Sequence, residues 1–265
     1  MARRRMTEKR VAKLLASGCG QGHGADYTPF IKVGDFASSG RVHRVKSQTH
    51  GRVVHLFSDM ELDVFRKFDG RPDVVDIREQ YPLCRAETLV VADALGVRPP
   101  AAHGVDVPVT TDILVDFRGG RLVAIAVKPA SELGRRRVLE KLEVERTAWT
   151  RRGVDWKLVV GSDVPRAERL NMQERATWAF LQGVSSPNGV DWDEVADAML
   201  VELADAASGR IVDLCKAAER LHGWVAGTAL SALKRLRARN LVEVAGAARL
   251  DPFGPVTQLV LVGGR

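Results

Sequence analysis

Cysteine is scarce in this chain, and the few cysteines are scattered. Cys19, Cys84 and Cys215 are the only three in 265 residues. Their separations match neither a zinc-binding spacing nor a disulfide framework. We therefore predict free, reduced thiols, which are typical of a cytoplasmic protein.

Long apolar runs are missing as well. No stretch reaches the roughly 18 apolar residues of a membrane span. The basic first residues are not followed by the apolar core of a signal peptide. There is no internal repeat and no low-complexity segment. We expect a cytoplasmic protein that has no membrane partner.

Positive charge is abundant and unevenly distributed. The net charge is +7 and the pI about 9.6, while 45% of the residues are hydrophobic. Residues 1–57 carry eleven Lys and Arg against three Asp and Glu. This concentration favours a polyanionic partner. The tract predicted to contact a DNA backbone consists of Arg41, Arg44, Lys46 and Arg52, with histidines between them.

A glycine-rich segment, residues 17–24, precedes this tract. A basic amphipathic helix is predicted before it, over residues 3–15. The glycines allow backbone N–H groups to approach a phosphate closely, but a flexible linker has the same composition. The residues alone leave both interpretations open.

The centre of the chain is a predicted hairpin, residues 109–129, which turns at Gly119 and Gly120. Its first strand begins near Asp112 and its second ends at Lys128. An odd-numbered loop places these two residues opposite each other on one face, so we predict a three-residue loop or a bulge. Burying a carboxylate and an amine costs free energy, which suggests that the two groups have a functional role. One such role is a metal site, with the ion on Asp112 and Lys128 beside the attacking water.

Glu61 lies on the preceding predicted helix, residues 56–68, within or beside its apolar stripe. Ser58 and Glu61 form a capping-box pattern, which gives Glu61 a structural role. A second metal ligand leaning toward the hairpin is the functional alternative, and the two roles are compatible.

The remaining pattern of the first part predicts an α/β fold with a mixed sheet. The predicted elements are strand 73–83, helix 87–95, helix 133–152 capped by Ser131, and strand 155–160. Glu140, Glu143 and Glu145 on the long helix are interpreted as salt-bridged helix surface.

The last third is predicted to be a separate, mainly helical domain from residue 168 onward. Helices are expected near 172–183, 191–206, 209–220 and 223–239, with strands near 241–244 and 256–262. This order is typical of a winged helix. The basic residues of its third helix cluster at the C-terminal end, where they suit the helix dipole. DNA-reading helices usually present the N-terminal end, so we predict a protein-docking domain.

An acid on a helix, followed by an acid and a lysine on adjacent strands, resembles the PD-(D/E)xK nuclease superfamily. More specifically, the first 165 residues resemble TnsA, the endonuclease subunit of Tns-type heteromeric transposases. The resemblance rests on ordered segments: GQGHGADYTPF (20–30), SSGRVHRV (38–45), HLFSDMELDVF (55–65), VVDIREQYPL (74–83), TTDILV (110–115), AVKPASEL (126–133) and LEKLEVERTAWTRRGVDWKLV (139–159).

The resemblance implies a restriction-endonuclease-like core over residues 1–167 and catalytic positions at Glu61, Asp112 and Lys128. It implies a metal-dependent endonuclease that cuts the non-transferred strand at the 5′ ends of a transposon. The implied partners are double-stranded DNA, a TnsB-like DDE transposase that joins the 3′ ends, and a TnsC-like AAA+ ATPase regulator that engages the second domain. The resemblance also implies that the protein associates with the bacterial nucleoid during the reaction.

One position departs from the superfamily pattern, because Ala126 stands where D/E-x-K has its acid. The expected metal ligands are then Glu61, Asp112 and the Val127 carbonyl, around Mg²⁺ or a substituting Mn²⁺. Two alternatives remain. A stand-alone restriction or repair nuclease would cut DNA without partners, whereas an inactive DNA-binding adaptor would bind without cutting.

Overall fold

The computed structural model describes residues 6–35, 41–102, 104–161, 164–179, 189, 191–245 and 249–262. The chain forms two compact units, Met1–Val164 and Pro165–Arg265; from sequence we place the boundary between residues 167 and 168. None of the described helices is both long and apolar enough to cross a membrane.

The first unit has the predicted mixed α/β fold. Its elements are α1 (Glu8–Ala16), β1 (His43–Lys46), β2 (Val53–Leu56), α2 (Asp59–Phe68), β3 (Val74–Pro82), α3 (Arg85–Ala94), β4 (Ala101–Ala102), β5 (Val105–Asp106), β6 (Thr110–Phe117), β7 (Leu122–Lys128), α4 (Arg136–Arg151) and β8 (Asp155–Val160). The central sheet has the strand order β3-β6-β7-β8. β3, β6 and β7 pair antiparallel, and β8 joins β7 in parallel.

Both faces of the sheet are covered, which explains the nearly continuous apolar runs of β6 and β7. Ile113 and Val115 pack on one face in a buried cluster that includes residues of β2 and α2. Leu114 faces the other way, into a cluster with Val91 of α3 and Trp149 of α4. The hairpin is therefore the middle layer of an α/β sandwich.

One local prediction is wrong, and one open alternative is excluded. Ser131 does not cap the long helix, because it lies in a separate 3₁₀ turn, Ala130–Glu132, and α4 begins only at Arg136. The glycine-rich segment is packed, not a free linker. The Gly20 N–H donates to the Thr28 carbonyl at 2.6 Å, and a Cβ on Gly20 would lie 2.1 Å from Pro82 Cγ. Only glycine allows this approach to the end of β3.

The second unit consists of helices followed by a two-stranded antiparallel sheet. Its elements are α5 (Arg166–Ala179), α6 (Trp192–Asp205), α7 (Ile211–His222), α8 (Thr228–Ala238), β9 (Val242–Val244) and β10 (Leu259–Leu261). The predicted continuation of the first helix, residues 180–183, lies outside the described residues. The winged-helix assignment stays a prediction.

The basic end of α8 is neutralised within this unit. Arg235 is 2% exposed and pairs with Asp193 of α6 at 2.7 Å. Arg237 is 5% exposed and pairs with Glu174 of α5 at 2.9 Å. Since these guanidinium groups hold the helices together, they are poorly available to a phosphate backbone.

Candidate active site

Glu61 is fixed at the start of α2 by the predicted capping box. Its backbone N–H donates to Ser58 Oγ at 3.0 Å, and Ser58 Oγ donates back to Glu61 Oε1 at 3.1 Å. Glu61 Oε2 accepts from the Phe57 N–H at 2.9 Å. With only 6% of its surface exposed, Glu61 is a buried acid that does serve as a cap.

Asp112 and Lys128 meet, but by a different register from the one predicted. The loop has the predicted three residues, 118–120, and the Phe117 N–H closes it on the Arg121 carbonyl at 2.9 Å. The pairing of Ile113 with Ile125 places Asp112 opposite Ala126, not opposite Lys128. The lysine is two residues further along the same face and reaches back diagonally.

The Asp112 carboxylate is held by both the backbone and the lysine. Its Oδ2 atom accepts from the Val127 N–H at 2.7 Å and from Lys128 Nζ at 2.9 Å. Lys128 Nζ also donates to the Val127 carbonyl at 3.0 Å. The Lys128 amine is therefore hydrogen-bonded to two of the oxygens that the sequence predicts as metal ligands.

Glu61 interacts electrostatically with Asp112 and Lys128, so the three residues form one group. Burial, followed by the negative charge of Asp112, raises the pKa of Glu61 to about 7. Burial alone would lower the pKa of Lys128, but Asp112, Glu145 and Glu61 together raise it above its usual value. The acids thus repel each other and all stabilise one ammonium.

Glu145 is a member of this group that the sequence interpretation missed. The sequence predicts it to be salt-bridged helix surface, yet it is 5% exposed on the inner face of α4 and accepts from Thr111 Oγ1 at 2.9 Å. Burial, followed by the Asp112 charge, raises the pKa of Glu145 to about 8. The signal was available, because Glu145 lies three residues after Leu142 and four before Trp149, on the apolar stripe.

The other two acids of that helix confirm the surface prediction. Glu140 pairs with Arg136 at 2.9 Å and with Arg137 at 3.0 Å. Glu143 pairs with Arg146 at 2.6 Å.

Comparison with known proteins identifies the family. Residues 71–161 match the family described as "TnsA-like endonuclease N terminal". The chain is also 34% identical over 246 residues to "Transposon Tn7 transposition protein TnsA" of Escherichia coli, covering 89% of this chain and 86% of that protein. The chain belongs to the TnsA family. The predicted family and its nuclease class are confirmed.

Within this TnsA-family site, the oxygen donors fit a hard divalent cation. Carboxylate and carbonyl oxygens are the ligands that Mg²⁺ prefers, and Glu61, Asp112 and Val127 supply both kinds. Across the described ranges, no three His, Cys, Asp or Glu side chains gather into a complete metal site. Ala126 is fully buried in β7 and offers no side-chain oxygen, so a bound cation would need further ligands from outside these residues.

The basic tract of this family member divides into exposed and buried residues. Arg44 and Lys46 are exposed on one face of β1, and the Arg41 side chain is 76% exposed, 3.8 Å from Asp59. Arg52 differs from these three because its guanidinium already has a carboxylate partner within the protein; its DNA contact stays a prediction. Its side chain is 9% exposed and binds the fully buried Glu79 through bonds of 2.8 and 2.5 Å.

Proposed function

We propose that this TnsA-family protein is a metal-dependent DNA endonuclease that cuts the 5′, non-transferred strands at transposon ends during cut-and-paste transposition. The observation that supports it best is the joint position of Asp112 and Lys128, 2.9 Å apart, beside the buried Glu61. Two acids and an ammonium among backbone oxygens suit hydrolysis of a phosphodiester.

Each side chain has a separate task in this proposal. Glu61 and Asp112, with the Val127 carbonyl, would hold Mg²⁺, for which Mn²⁺ could substitute. When bound, the cation would supply Lewis-acid polarisation of the phosphate and would lower the pKa of a coordinated water. Lys128 carries a fixed positive charge at the same place, so its ammonium stabilises the charge that develops on the phosphate oxygens.

The electrostatics bears on how the metal would bind. Because the pKa of Glu61 is raised to about 7, a cation would compete with a proton for this carboxylate near neutral pH. Exposed Arg41, Arg44 and Lys46 attract the duplex through its phosphates.

The partners are proposed from the family resemblance. A TnsB-like DDE transposase would act on the 3′ ends of the same element, and a TnsC-like ATPase would dock on the second unit. The ion-paired basic end of α8 supports protein docking over DNA reading, because its charges already have partners.

The test is strand-specific cleavage of a labelled transposon-end duplex with both partner proteins and Mg²⁺. Asp112→Asn should abolish cuts in the 5′ strand. Asp116→Asn changes an acid on the same strand, β6, at its other end and should cut like the parent protein. Equal cleavage by the two variants, or cuts confined to the 3′ strand, would overturn the proposal.

A further inference from the structure

Strand β3 changes face at Gln80. Residues two apart in a regular strand share a face, but Glu79 and Tyr81 do not. Glu79 accepts hydrogen bonds from Arg52 on the β2 side. The Tyr81 ring lies 5.7 Å from the Trp149 ring, on the α4 side. Gln80 makes this switch with a φ of 48°, in the left-handed region.

The neighbouring strand switches at the matching position. The register of β3 against β6 places Gln80 opposite Asp112. Before the switch, Thr111 accepts a hydrogen bond from the Trp149 indole at 2.7 Å, on the α4 side. After it, Ile113 packs in the cluster on the α2 side. The distortion is therefore shared by the two strands and centred on the Asp112 position.

The N-terminal segment holds this backbone in place. The Tyr27 hydroxyl donates to the Glu79 carbonyl at 2.9 Å, and the Phe30 N–H donates to the Gln80 carbonyl at 3.3 Å. Tyr27 and Phe30 are 3% and 1% exposed. A left-handed residue other than glycine is strained, and such strain persists where surrounding contacts over-determine it.

The Gln80 side chain links Glu61 to the central sheet. It is 6% exposed. Its Nε2 donates to Glu61 Oε2, and its Oε1 accepts from Thr110 Oγ1, both at 3.4 Å. Among the hydrogen bonds described for Glu61, those from Phe57 and Ser58 belong to the start of its own helix. The bond from Gln80 comes from the strand that runs beside Asp112.

We propose that Gln80 is a positioning residue, whose left-handed backbone and carboxamide hold Glu61 of α2 beside Asp112 of β6 so that one divalent cation can bind both. A carboxamide can donate to Glu61 without adding a third negative charge to the pair. The inference rests on the metal site in the proposed function and adds Gln80 as the residue that aligns its two carboxylates.

The test is Mn²⁺ binding to the full chain, measured by electron paramagnetic resonance without DNA. Gln80→Met keeps the side-chain length and removes the donor. Gln80→Gly removes the donor and accepts the left-handed backbone, so it remains informative if the Met variant misfolds. Both should weaken Mn²⁺ binding roughly tenfold, the range for groups that orient metal ligands. In a Glu61→Ala background, neither change should weaken binding further.

Asn240→Gly is the matched control, because Asn240 has a φ of 57° in the second unit. It should leave Mn²⁺ affinity unchanged, and its melting temperature should resemble that of Gln80→Gly. Three results would overturn the inference while leaving the proposed metal site standing. They are unchanged Mn²⁺ affinity in Gln80→Gly, an equal loss of Mn²⁺ affinity when Gln80 is changed in the Glu61→Ala background, and a melting temperature of Gln80→Gly far below that of Asn240→Gly. If Glu61→Ala itself binds Mn²⁺ like the parent, the proposed metal site fails and the inference fails with it.

Discussion

Glu145→Gln offers a quantitative test of the buried electrostatics. The folded pKa of Glu145 is about 8, against an ordinary value of 4.5. The folded protein therefore keeps a proton that the unfolded chain releases, so this group makes stability fall as pH rises from about 4.5 to about 8. At about 1.4 kcal/mol per pKa unit, the upper bound is about 5 kcal/mol. Glutamine is neutral throughout and can accept the same hydrogen bond from Thr111.

We therefore expect the variant to match the parent near pH 5 and to be more stable by about 2–5 kcal/mol near pH 8. The measurement is urea unfolding of both proteins across this range, followed by intrinsic fluorescence. Titration of Glu61 is common to both proteins and cancels to first order. A stability difference that does not vary with pH would refute the assignment of a raised pKa to Glu145.

Three further substitutions test separate charges. Lys128→Met should reduce cleavage at least a hundredfold and destabilise the fold by about 1–2 kcal/mol, because it leaves Asp112 without its ammonium partner in a partly exposed site; parent-like cleavage would contradict this. Arg52→Ala should cost about 3–5 kcal/mol in chemical unfolding, since it leaves Glu79 buried and unpaired. Arg44→Ala should leave stability unchanged but reduce the salt dependence of DNA binding by about one phosphate contact. The last two expectations fail if Arg52→Ala changes only DNA affinity, or Arg44→Ala only stability.

Much of the fold was predictable because local patterns determine it. The apolar runs of β6 and β7, the glycine turn between them and the capping box of Glu61 each specify one structure. The meeting of Asp112 and Lys128 follows from the hairpin itself. Its register does not, because a shift of two residues preserves every side-chain face.

Other features depend on contacts distant in sequence. Arg52 is indistinguishable from its exposed basic neighbours until β3 supplies Glu79. The burial of Glu145 is predictable from the apolar stripe of α4, but its interaction with Asp112 depends on how that helix packs on the sheet. Gln80 lies in an ordinary strand pattern, and its left-handed backbone becomes necessary only when Tyr27 and Phe30 bind the adjacent carbonyls.

The central claim is that Glu61, Asp112 and the Val127 carbonyl bind one divalent cation. Anomalous X-ray diffraction from crystals of the full chain soaked in Mn²⁺ tests it directly. We predict a manganese peak within about 2.5 Å of an oxygen from each residue, absent when Asp112 is replaced by Asn. Manganese bound elsewhere in the protein, with none between these two carboxylates, would contradict the account.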